Sequence, residues 1–484
     1  MKYILDESKP YYRYFEDICR IPHGSGNEKA LSDMLVAFAR ERGLWVFQDE
    51  ALNVIIKKPA SAGYEDAAPL MLQAHIDMVC EKNEGVEHDF LHDPLDLYLD
   101  EDGWLRAHGT TLGADDGSGV ATMMAILDDN TLSHPMLECV FTVEEETGMG
   151  GAAQLRYNLL TARRMVGLDS AGETGTTLSS AGGLRLHASR SLRRQELPEN
   201  AELLRLKVSG LEGGHSGIFI DKERGNSIKI LARLLDSLRQ MEADFILCDL
   251  RGGSKDNAIP REASAVIACC PQWTERIRDR LHTEQTLIAA ELSLSDKAFS
   301  LELESAAPMA GICPADTKAI LDFLCAVPNG IAAMSLAIPG LVMTSDNVGV
   351  SGIEQDVFYT HISLRSSSDS RMDELCRRIS LICALCGMEY STSGRYPGMD
   401  VQLDSPFRDR YGAFMKQVWG KDMRLSAGHA GGEGGYFVRN LPGMEMVNLG
   451  PFIEDVHSPD EKMDPVSFER CYLFLTQFMA SLKE

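Results

Sequence analysis

Several short apolar runs of this chain end on a histidine or a carboxylate, and that pattern constrains its fold more than any other feature. Pro69–Ala74 leads into His75 and Asp77, Leu137–Val143 into Glu144, Glu145 and Glu146, and Arg164–Leu168 into Asp169. A fourth run, Met444–Leu449, is followed one loop later by His457. Short apolar runs alternating with helix-period segments predict a layered α/β domain. In open sheets of that kind, ligands bind outside the carboxyl ends of the strands. Four strands that each deliver a metal-competent side chain to that edge define a site.

The rest of the chain divides by period. Ser25-Gly-Asn-Glu28 predicts a capping box, followed by Leu31, Met34, Leu35 and Phe38 at helical spacing. Trp45–Phe47 and Asn53–Ile56 read as paired strands, and Val120, Met123, Met124 and Leu127 mark one face of a helix. In the middle, Ala201–Ser209, Ala298–Glu304 and Val357–Leu364 alternate as half-exposed strands. Each is followed at some distance by a helix pattern, at Asn226–Leu238, Ala315–Ala326 and Arg371–Leu385. That combination predicts antiparallel sheet covered by helices on one side. With 484 residues the chain is too long for a single core. The expected organisation is a catalytic α/β domain in two pieces, 1–184 and 391–484, split by an inserted domain at 185–390.

Charge and cysteine usage narrow the function. The 47 basic against 72 acidic residues leave a net charge of −25, which excludes a basic face for nucleic acid or for an anionic membrane. No apolar stretch has the length of a signal peptide or a bilayer span. The twelve cysteines include one close pair, Cys383 and Cys386, inside a helix-period run and without the second pair a zinc ribbon needs. A reduced, cytoplasmic protein is expected.

The chemistry concentrates in five places. His75 and Asp77 stand two apart at a strand end and point the same way, which suits a carboxylate that orients a metal-bound imidazole. Asp115 and Asp116 directly precede the Val120 helix; an ordinary N-cap accounts for one aspartate but less well for two. The three glutamates 144–146 repel one another unless a cation or proton is present, or else form a solvated acidic loop. Asp169 and His457 complete the set. Two histidines with several carboxylates and no cysteine suit zinc, manganese or cobalt, and they are enough for two ions sharing one carboxylate.

The ordered set His75-x-Asp77, Asp115-Asp116, Glu145-Glu146-Thr-Gly148, Asp169 and His457 resembles the zinc aminoacylase/carboxypeptidase family of di-metal peptidases. Gly213-Gly-His215-Ser-Gly217, Asn257–Glu262, Thr344–Asn347 and His457–Glu461 resemble its carnosinase-like dipeptidase branch. The resemblance implies a discontinuous catalytic domain, a mixed sheet flanked by helices, with an inserted α+β lid. It also implies two Zn2+ per chain, replaceable by Co2+ or Mn2+, with Asp115 bridging. His75 and Asp169 would complete one site, and Glu146 and His457 the other. Asp77 would orient His75, and Glu145 would be the general base for attack by a bridging water. The Asp115–Asp116 bond would be the family's cis peptide. From the lid, His215 would stabilise the oxyanion and Arg365 would pair with the substrate carboxylate, with Asn257 and Asn347 lining the same region. His429 and Glu433, in the glycine-rich run 428–435, match a segment near the site without an assigned step. Two departures stand out: Glu144 makes a trio of a pair, and Asp346 adds an acid beside Asn347.

Three functions follow. The first is a dipeptidase for short peptides with a free C-terminal carboxylate, Xaa-His and β-alanyl-histidine among them. The second is an amidohydrolase of N-acyl amino acids on the same metal site. The third is an inactive metal- or peptide-binding relative, against which the intact Glu145 argues. A homodimer is left open.

Overall fold

The computed structural model describes residues 2–483 and divides the chain into two units. The first comprises Met1–Ser179, Val401–Ala427 and Gly432–Glu484. The second comprises Ser180–Asp400 and Gly428–Gly431.

The first unit is built on a six-stranded mixed sheet. In spatial order the strands are Trp45–Gln48, Val54–Lys58, Leu137–Thr142, Leu70–His75, Arg164–Gly167 and Glu445–Asn448. The first pairs antiparallel with the second and the second antiparallel with the third, and the last four run parallel. Alternation along the strands sorts side chains into two cores. Leu70, Leu72, Ala74, Val54, Ile56 and Phe141 face the larger one, where Phe15, Leu35, Val120, Phe468 and Phe474 of the covering helices pack. Met71, Ile55, Val140 and Met165 face the other, against Phe437 and Leu441. Burial on both faces is why these strands read as continuous apolar runs.

Two expectations for this unit need comment. The paired strands Trp45–Gln48 and Val54–Lys58 form as expected, but the capping box does not. The helix starts at Lys29, and its preceding residue makes no side-chain cap. Ser25 Oγ instead donates to Asp77 Oδ2 at 2.8 Å, and Glu28 Oε1 accepts the Gly26 and Glu144 amides. Buried carboxylate chemistry outcompeted a local turn.

The second unit is a nine-stranded antiparallel sheet with helices on one side. Strand Glu202–Ser209 shows the reason: Leu204, Leu206 and Val208 are buried while Arg205, Lys207 and Ser209 are not. The buried row packs with Leu231, Leu234 and Leu235 of helix Ser227–Gln240 and with Phe323 of helix Pro314–Ala326. Helix Asp369–Leu385 adds Met372, Leu375, Ile379 and Cys383, so that cysteine is a core residue. Strand Val342–Glu354 pairs with Val357–Ser366, which pairs with Gly182–Ser191, which pairs with Glu389–Tyr396. Among the described residues all twelve cysteines are free, and no helix is long and apolar enough to cross a membrane.

Candidate metal centre

The carboxyl edge of the mixed sheet gathers the first unit's polar residues. His75 is the last residue of its strand and is buried. Its Nδ1 lies 3.0 Å from the Asp77 carbonyl oxygen, and its Nε2 lies 3.1 Å from Asp115 Oδ1. The second oxygen of Asp115 lies 3.5 Å from His457 Nε2, which is also 2.9 Å from Glu146 Oε1. The Asp115 carboxylate is thus set between two imidazoles. Ligand atoms of His75, Asp115 and Glu146 fall within 4.8 Å of one another.

The two adjacent aspartates divide the roles that one N-cap could not explain. Asp116 Oδ1 accepts the Gly119 amide at 3.1 Å and caps the helix, leaving Asp115 to face the imidazoles. The peptide joining them is cis. The glutamate trio separates as well. Glu144 takes a left-handed backbone, φ 53°, and its carboxylate lies against Gly150. Glu146 reaches His457, while Glu145 stands among Asp169, Glu433 and Glu146 as an electrostatic neighbour of each. His457 also has a left-handed backbone, φ 62°, an uncommon conformation for a non-glycine residue.

Charge at this edge is unbalanced. Burial, then repulsion from Asp169, Glu433 and Glu146, pushes Glu145 up to about 9. Burial and the Asp115 charge push Asp169 up to about 7. Hydrogen bonds to Asp115 and Glu146 raise His457 to about 10. Against the effect of burial, the His457 and His75 hydrogen bonds hold Asp115 below the usual carboxylate range. Crowded carboxylates that retain protons in this way are short of positive charge, and dications supply it. The imidazole of His75 with the carboxylates of Asp115 and Glu146 is a nitrogen–oxygen donor set that fits hard-to-borderline ions. The donor set therefore suits the metals expected from the sequence.

Three residues already named in sequence motifs, Glu461, Glu433 and Ser25, support the site in ways those motifs did not assign. The Glu461 carboxylate accepts the amides of Leu112, Gly113 and Ala114 at 2.9, 3.1 and 2.9 Å, and that of Asp115 at 3.4 Å, so it fixes the loop that carries Asp115. Glu433 is buried and accepts from Gln73 Nε2 at 2.8 Å and Thr142 Oγ1 at 2.7 Å. Ser25 is the third, through its bond to Asp77. The spacing of Glu461, four residues after His457, was the one available signal.

The second unit holds its own cluster. His215 Nδ1 accepts the Gly217 amide at 3.1 Å, so the neutral ring carries its proton on Nε2. Burial and the neighbouring Arg365 lower its pKa and keep it neutral. That Nε2 lies 3.4 Å from Arg365 Nη2, placing two donors side by side. Arg365 is only 7% exposed, and among the described residues its side-chain partners are Tyr396 and His215 rather than a carboxylate. His429 Nε2 lies 2.7 Å from Ser345 Oγ, and burial plus Arg365 lowers it to about 4. Asn347 spends its amide protons on the carbonyls of Asp256 and Ala258, at 3.0 and 2.8 Å, and thereby braces the loop that carries Asn257. Asp346 alternates to the opposite face of the strand, where burial raises it to about 7.

A mixed sheet with an imidazole–carboxylate cluster beyond its carboxyl edge defines a metal-dependent hydrolase. Residues 71–481 match peptidase family M20/M25/M40, and the chain belongs to that family. It is 36% identical over 475 residues to the cytosol non-specific dipeptidase of Escherichia coli (strain K12), covering 98% of each chain. Its structure is similar to that of aminoacylhistidine dipeptidase from Vibrio alginolyticus, with a TM-score of 0.91, 34% identity and coverage of 98% and 96%. An M20 family metallo-carboxypeptidase from Sulfolobus solfataricus shares the fold at a TM-score of 0.56 and 14% identity, covering 99% of this chain and all of that one.

Proposed function

We propose that the protein is a cytoplasmic, metal-dependent dipeptidase that hydrolyses short peptides with a free C-terminal carboxylate, Xaa-His dipeptides among them. The observation that carries this reading is the Asp115 carboxylate between His75 and His457. End-to-end similarity to a cytosol non-specific dipeptidase supports the substrate class and the compartment.

His75 and Asp169 would hold one zinc ion, Glu146 and His457 a second, and Asp115 both, with cobalt or manganese as substitutes. Bound there, the ions lower the pKa of water and polarise the scissile carbonyl. Glu145 takes a proton from the attacking water and returns it to the leaving amine. Asp77 holds the His75 ring and the amides of Glu145 and Glu146, which fixes base and ligands together. In the second unit, acting as a lid, His215 Nε2–H is the donor for the developing oxyanion, and Arg365 pairs with the substrate carboxylate. Asn257 lines this recognition region, while Asn347 and His429 support it.

The test is steady-state hydrolysis of a panel of free dipeptides and N-acyl amino acids by chelated and zinc-reloaded protein. Metal-restored cleavage of dipeptides well above N-acyl amino acids is expected. The opposite preference would make the protein an amidohydrolase, and no metal-restored cleavage of either would make it an inactive relative.

A further inference from the structure

Arg365, Gly183 and Tyr396 form one row across three adjacent strands: Gly183 is paired with Arg365 on one side and with Tyr396 on the other. Strands lie roughly 4.8 Å apart, so the outer two residues sit two strand spacings from each other. They meet because the residue between them has no side chain. A Cβ on Gly183 would lie 2.3 Å from Tyr396 Cε1 and 2.6 Å from its hydroxyl oxygen, so the ring lies over this glycine. A Cβ on Gly431 would lie 2.8 Å from Cε2, on the other edge of the ring. Gly431 belongs to the glycine-rich run 428–435, which thus acquires a purpose: it makes room for an aromatic ring. An irregularity between Ser393 and Tyr396 brings the tyrosine into register.

From this slot the Tyr396 hydroxyl accepts a hydrogen bond from Arg365 Nη1 at 3.2 Å. On the guanidinium's other arm, Nη2 stands beside His215 Nε2. A Cβ on Gly217 would lie 3.2 Å from Arg365 Cζ, so backbone closes a further side. The guanidinium is buried, has no carboxylate partner among the described residues, and is held at one arm by a phenol oxygen that leaves its charge unspent. We infer that Tyr396 is a positioning residue that fixes the Arg365 guanidinium for a carboxylate ligand, in a slot cleared by Gly183 and Gly431. The inference rests on the proposal that Arg365 receives the substrate's C-terminal carboxylate.

Tyr396→Phe keeps the ring and removes the hydroxyl. KM for a free Xaa-His dipeptide is expected to rise on the order of ten-fold, the loss of one hydrogen bond to a charged group, with kcat and metal content retained. Gly183→Ala, with the tyrosine intact but displaced, is expected to raise KM in the same direction. Arg365→Lys serves as the comparator. A raised KM in Arg365→Lys with an unchanged KM in Tyr396→Phe would overturn the inference and leave the dipeptidase reading standing. A joint fall of kcat and metal content in Tyr396→Phe would overturn it as well, since that marks a general structural role. No KM change in Arg365→Lys would remove both the carboxylate assignment and the inference, whereas absence of dipeptide hydrolysis by the wild type would defeat the function itself.

Discussion

The Asp77 carboxylate accepts the backbone amide of Glu145 at 3.0 Å, so the aspartate two residues after His75 also fixes the start of the Glu145–Glu146 pair. Its other oxygen takes the Glu146 amide at 3.2 Å and the Ser25 hydroxyl at 2.8 Å. One buried carboxylate therefore ties two strand ends together. Asp77→Ala is expected to lower metal affinity and kcat together, each by about 10–100-fold. Metal-buffered activity titrations check this, and a variant that lost only one of the two would separate the functions joined here.

Glu461 gives a second prediction. Its carboxylate serves three amides at 3.1 Å or less, plus that of Asp115 at 3.4 Å. Glu461→Ala leaves those donors without a buried acceptor, at a cost of about 1–3 kcal/mol. Urea unfolding should show that loss, and metal analysis should show lower occupancy because Asp115 is no longer held. Unchanged stability would mean that water replaces the carboxylate.

The third prediction concerns pH. Asp169, Glu433 and Glu145 are raised to about 7, 8 and 9, above the ordinary carboxylate range of about 4. Between that range and those values the metal-free folded state binds protons that the unfolded chain does not, so its stability falls as pH rises. His457, raised to about 10, adds stability that is complete below about 6.5 and disappears as pH passes through its folded value. Asp115 acts oppositely, contributing above its unfolded value and losing that contribution in acid. Melting of chelated protein should therefore drop from pH 6 to 9, and the stabilisation gained on adding zinc should grow over the same interval. A zinc-induced shift that did not change with pH would contradict the proton–metal exchange.

What the sequence disclosed, and what it did not, follows the range of the interactions. Strands such as Leu70–His75 and Leu137–Thr142 were legible because burial on both faces writes apolar runs, and the side chains at their ends then mark the site edge. The roles of Asp115 and Asp116 were not separable by spacing, because the division depends on one capping bond to Gly119. Glu461 reaches its amide partners across nearly 350 residues of chain, so its spacing from His457 hinted at the site but not at which amides it holds. The expected capping box failed for the same reason: Ser25 found a stronger acceptor in Asp77, 52 residues on. Tyr396 was equally hidden, since its place depends on Gly183 and Gly431, which stand 213 and 35 residues away along the chain and leave room for its ring.

Glu145 is proposed to act as a base within a metal site that other side chains build. The most direct test is Glu145→Gln beside the wild type, with zinc content and dipeptide hydrolysis measured on the same samples. The variant is expected to keep the wild-type zinc content and lose kcat by about a thousand-fold. Loss of zinc and activity together would contradict the assignment and place Glu145 among the ligands, and retention of activity would remove it from catalysis.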